Sequence, residues 1–113
     1  MNAEASQHLP RAERFALPAS ILYRPAGDIR WREGRTENIS RSGVLFRGRE
    51  PVDLQTPVEM LLEMPAEVAG AAAGASLCRG RIVRYEAEVG GAQPALAAVI
   101  SDWEAFQADP RRI

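Results

Sequence analysis

The stretch that most constrains this chain is Pro57-Val58-Glu59-Met60-Leu61-Leu62-Glu63-Met64-Pro65. Val58, Met60, Leu62 and Met64 recur at every second position, the period of a strand that buries one face. A helix through Val58, Leu61 and Leu62 is the weaker alternative, because the flanking prolines leave little room for it. A buried strand needs partners, and the rest of the chain supplies them. Ser20 to Arg24 is a short β-prone run, and Pro25-Ala26-Gly27-Asp28 is a turn signal. From Ile29 to Ser40, Trp31, Thr36 and Ile39 stand among charges at near-alternating positions, which predicts an antiparallel strand with one wet face. Ser40-Arg41-Ser42-Gly43 turns the chain, and Val44 to Arg47 is a further strand ended by Gly48. Leu77 to Glu88 alternates, with Ile82 opposed to Val83 and Tyr85 on the face of Val83. Gly80 inside it predicts a bulge or a close backbone approach. Gly90-Gly91 signals a hairpin, and Ala95 to Ile100 is the last strand.

Two segments read differently. Pro65 to Ser76 is rich in Ala and Gly, so it reads as a flexible connecting loop with room for one helical turn. Asp102 is placed to cap a short helix over Trp103, Glu104, Ala105 and Phe106, which Pro110 stops. About six short strands at this spacing predict an all-β fold, a small antiparallel barrel with a short C-terminal helix.

The chain has 113 residues, 46% of them hydrophobic and 26% charged, which fits one globular domain with a core of its own. A single cysteine cannot form an internal disulfide, and one cysteine with one histidine argues against a His/Cys metal site. No apolar run approaches the roughly 20 residues of a membrane-spanning helix. The N-terminus lacks the apolar core of a signal peptide. A cytoplasmic domain without a membrane span is the expectation.

Charge is unevenly placed. All 14 basic residues are arginine, and the formal net charge is only −1. Residues 11–49 hold nine arginines against four acids, whereas residues 50–113 hold five against ten. Near-neutrality argues against a general binder of nucleic-acid polymers. A basic half built from arginine is suited to an anion site, because the planar guanidinium binds phosphate or guanine through two bonds at once. Enzymatic chemistry has no visible candidate. The lone histidine, His8, lies on the polar N-terminal arm, Ser42 is not set in a nucleophile elbow, and Cys78 sits in a strand as a small apolar group. No catalytic residue, metal ligand or cofactor is expected.

Asn38-Ile39-Ser40-Arg41-Ser42-Gly43 is the informative segment. Asn38 is suited to an Asx-type turn, Ser40 to the same or to donating to a ligand oxygen, and Gly43 to a positive φ. Upstream, Pro10-Arg11-Ala12-Glu13-Arg14-Phe15 forms an arm whose arginines a fold-back brings near this turn. With these residues the chain resembles the PilZ domain family, bacterial receptors for the second messenger cyclic di-GMP. The family signature is R-x-x-x-R before the barrel and [D/N]-x-S-x-x-G after the second strand. Asn38, Ser40 and Gly43 match the second motif completely, and Arg14 runs into the first strand as the second arginine of the first motif does. Arg81 to Arg84 and Ala98 to Ile100 resemble the family's fifth and sixth strands. The first motif is incomplete: Pro10 stands four residues before Arg14, and Arg11 comes one place late.

The resemblance implies residues 1–13 as a polar arm carrying part of the ligand motif, 14–107 as a PilZ-like barrel with its terminal helix, and 108–113 as a tail. It implies a non-enzymatic adaptor that binds cyclic di-GMP through Arg11, Arg14, Asn38, Ser40 and Gly43 and signals through contact with a protein partner. Pro10 keeps a second reading open, a PilZ-like interaction module that does not bind the nucleotide.

Overall fold

The computed structural model describes residues 15–16, 18–70, 74–87 and 90–105. The chain runs through β1 (Phe15–Ala16), β2 (Ser20–Pro25), β3 (Arg32–Ile39), β4 (Gly43–Gly48), β5 (Pro57–Met64), α1 (Ala66–Ala69), β6 (Gly74–Glu86) and β7 (Ala95–Ala105). All pairings are antiparallel, in the order β1-β3-β2-β5-β6-β7-β4. A further pairing of β3 with β4 closes β2 to β7 into a six-stranded barrel. The two-residue β1 adds to β3 where β2 has left it, pairing Phe15 with Ile39 and Ala16 with Asn38.

The constraining stretch behaves as its period requires. Val58, Met60, Leu62 and Met64 are all buried, while the alternate residues face out. They meet Ile21 and Tyr23 from β2, Ile39 from β3, Phe46 from β4, Cys78 and Ile82 from β6 and Leu96 from β7 in one core. The Tyr23 and Phe46 rings lie 4.9 Å apart at 54°. Tyr23 still satisfies its hydroxyl by donating to the Glu50 carbonyl at 2.8 Å, as a buried phenol must. At Gly80 the register with β7 shifts, and a side chain there would overlap the Val99 carbonyl. Both the bulge and the close approach that Gly80 predicted are therefore present.

The expected C-terminal helix is corrected over Trp103 to Ala105. These residues continue β7, with Cys78 opposite Trp103 and Ser76 opposite Ala105. Asp102 is no helix cap; it accepts a bond from Arg79 Nη1 at 3.0 Å across the two strands. The reason is tertiary: β6 is thirteen residues long and offers an edge that local helix propensity does not outweigh. Phe106 and the tail lie outside the described residues. The Ala/Gly segment carries its single helical turn at α1, but its last residues, 74–76, belong to β6. A second register shift falls between Ile82 and Arg84. It breaks the alternation, so Tyr85 pairs with the buried Leu96 and does not share the face of Val83.

Candidate functional site

The β3–β4 connection is held by one hydroxyl. Ser40 is buried, and its Oγ accepts from the Ser42 N–H at 3.2 Å and the Gly43 N–H at 3.1 Å. The Ser40 N–H donates to the Gly43 carbonyl at 2.9 Å. Serine, not asparagine, thus makes the turn. Asn38 lies within β3, just past a bulge between Thr36 and Asn38. Among the described residues its side-chain amide is engaged in no hydrogen bond.

Gly43 also departs from expectation, since its φ is not positive. It matters for space: an added Cβ would stand 3.1 Å from the Ala98 carbonyl, closer than β7 comfortably allows.

Asn38, Ser40 and Gly43 line one cleft of about 330 Å³ on the barrel wall. Its other walls are Ser42, Val44 and Leu45 beside the turn, Val83 and Arg84 from β6, and Ala97 to Val99 from β7. Three of the five site residues expected from sequence are therefore together. Arg11 and Arg14 lie outside the described residues. Phe15, which follows Arg14 in the chain, is paired with Ile39, which precedes Ser40.

Arg84 was not foreseen as a site residue. It stands opposite Ala97, and that small side chain helps leave the hollow. The signal was the run of alanines in Ala95-Leu96-Ala97-Ala98, but using it required the β6–β7 register. Arg84 is loosely tied, its Nε 3.7 Å from Glu86 Oε2 with both side chains well exposed. Arg41, at the tip of the turn, is exposed and has no ion-pair partner among the described residues.

Further along the same strands a second depression of about 470 Å³ is lined by Pro18, Arg35, Thr36, Glu37, Arg47, Ala92 and Gln93. There Arg47 is already occupied, donating to Glu37 at 2.6 Å and to the Gln93 carbonyl at 2.9 Å.

The first cleft can hold an anion through guanidinium and amide groups and stack a flat ring on its short aliphatic wall. Among the described residues no cluster of three His, Cys, Asp or Glu could hold a metal ion. Cys78 is fully buried, and burial pushes its thiol up to about 12, so it carries no thiolate near neutrality. Among the described residues no helix is long and apolar enough to cross a membrane.

Compared with known proteins, residues 9–99 match the family model described as PilZ domain. No curated protein and no solved structure matches the chain.

Proposed function

This chain belongs to the PilZ domain family, and on that premise we propose that it binds cyclic di-GMP in the bacterial cytoplasm and passes the signal on through a protein contact. One observation carries the reading: Ser40 is spent on closing the turn, and this leaves the Asn38 amide unengaged at the cleft it forms with Arg84. A ligand with two phosphates and two guanines suits these groups. Arginine meets guanine O6 and N7 with two parallel bonds and stacks on a base. The pairing of Phe15 with Ile39, beside the turn, supports Arg14 as a ligand contact from the arm. Arg11 is the second arm contact, and Gly43 lets the backbone come close. Engagement of the arm by the ligand changes the surface offered to a partner protein. The domain itself performs no chemistry.

Calorimetric titration with cyclic di-GMP tests the reading. Saturable binding that weakens with added salt is expected, since phosphate charge is being met. The second reading, an interaction module without nucleotide, rests on Pro10 standing where the family motif has its first arginine. Pro10→Arg should raise affinity, at most about a hundredfold after the arm's ordering cost. If neither the parent nor Pro10→Arg binds, the interaction module replaces the receptor.

A further inference from the structure

Strand β6 outruns its neighbour. Its ladder with β5 ends at Arg81, opposite Pro57. Two more backbone bonds, Gln55 N–H to the Ile82 carbonyl at 2.6 Å and Ile82 N–H to the Thr56 carbonyl at 3.1 Å, cover the edge as far as Ile82. From Val83 to Ala87 no described residue pairs with that edge, although Arg84, Tyr85 and Glu86 stay paired with β7 on the other side.

The open edge presents backbone groups. The Ile100 N–H donates to the Ser42 carbonyl at 2.8 Å, on the β4 side of β7. Register between β4 and β7 is unbroken from Ala95 to Val99. Alternate residues of an antiparallel strand address the same neighbour, so Leu96 also turns its backbone toward β4. Tyr85, opposite Leu96, is then in a pair that exchanges no bonds with β7. Its own N–H and C=O point at the open edge.

The side chains on this edge are self-complementary. Residues 83–87 read Val-Arg-Tyr-Glu-Ala, with Val83 36% and Tyr85 38% exposed. We infer that this edge pairs with the same edge of a second copy of the chain, antiparallel about Tyr85, to give a two-fold dimer. That register sets Tyr85 against Tyr85, Val83 against Ala87 and, twice by symmetry, Arg84 against Glu86. Opposite charges directly across two strands stabilise the pairing, and like charges oppose it. Centring the axis one residue either way would set Arg84 against Arg84 or Glu86 against Glu86. An exposed edge is a template for another strand, and here the charge order selects one partner and one register. The dimer needs no nucleotide, so its failure would leave the proposed function standing.

Sedimentation equilibrium of the full chain, up to millimolar concentration, tests this. A concentration-dependent dimer is expected. Arg84→Glu and Glu86→Arg should each weaken it by about tenfold or more, and the double reversal R84E/E86R should restore it. Tyr85→Pro, which removes only an outward N–H on an edge, should abolish the dimer while circular dichroism keeps its β signal. A monomer at every concentration overturns the inference. So does a dimer indifferent to these substitutions, or a double reversal as weak as either single one.

Discussion

The two turns that β3 connects treat charge in opposite ways. At the β2–β3 end Arg24, Arg30 and Arg32 each have a carboxylate partner. Arg30 grips Glu50 with two bonds of 3.0 and 2.6 Å, and Arg32 spans Asp28 at 3.0 Å and Glu50 at 3.3 Å. Arg24 bonds Glu59 at 2.8 Å while its guanidinium lies 4.0 Å over the Trp31 ring. At the β3–β4 end Arg41 has no ion-pair partner among the described residues, Asn38 is unengaged and Arg84 is held only at 3.7 Å. The two ends share one basic stretch of sequence. What separates a structural end from a receptive one is the number of carboxylates brought to each, which depends on Glu50 and Glu59 arriving from later in the chain.

The largest effect should come from exchanging for alanine the arm arginine of the proposed site and, for contrast, one arginine of the paired end. Arg14→Ala should cost about 1.5–3 kcal/mol of cyclic di-GMP affinity, the range for a hydrogen bond to a charged group. Arg24→Ala, at the paired end, should leave affinity unchanged. Calorimetry on both variants, with Arg112→Ala as a remote control, decides the matter. Equal losses at Arg14, Arg24 and Arg112 would mean diffuse attraction and no difference between the ends.

A smaller effect is expected inside the receptive turn. Ser40→Ala removes the acceptor shared by the Ser42 and Gly43 N–H groups. It should lower stability by about 1 kcal/mol and weaken binding by a similar amount. Urea unfolding with the titration repeated measures both. An unchanged unfolding midpoint would show that the turn holds without the hydroxyl. At the other end, Arg24→Ala should cost stability no more than about 1 kcal/mol, because ion pairs near the surface contribute little.

These contrasts also mark what could be read from sequence. Period-two burial in β5 and the turns at Pro25, Ser40 and Gly90 were legible, because each depends on neighbouring residues alone; the tight approach at Gly80 showed as a glycine inside a strand, although the Val99 carbonyl it meets is distant in sequence. The strand character of Trp103 to Ala105 was not, since it comes from the length of β6, a distant segment. The same holds within the site. Asn38, Ser40 and Gly43 are close in sequence and could be grouped by motif, although which of them closes the turn could not. Arg84 reaches the cleft only through a register that slips at Val83. No local pattern encodes that slip, and it also undid the expected shared face of Val83 and Tyr85.

The smallest expected effect is in acid, and it belongs to the paired end. The Arg30 backbone N–H and then the Arg32 guanidinium hold the Asp28 carboxyl below its usual value, and the Arg30 guanidinium does the same for Glu50. A carboxyl whose folded pKa is lowered contributes stability that is whole above its unfolded pKa, about 3.9 for Asp and 4.3 for Glu. That contribution is lost as pH falls through the lowered folded values. Unfolding midpoints should therefore hold from neutrality to about pH 5 and decline below about pH 4. Both groups are only partly buried, so the decline should be shallow and should shrink further in salt. Arg30→Gln should flatten it, because Glu50 returns toward its ordinary value while Asp28 keeps Arg32. The receptive turn has no carboxylate in residues 38–43, so the deficit of Ser40→Ala relative to the parent should be the same at pH 7 and pH 3. An Arg30→Gln curve parallel to the parent's would show that Arg30 does not hold Glu50 down. A Ser40→Ala deficit that changes with pH would show that the two ends are not electrostatically separate.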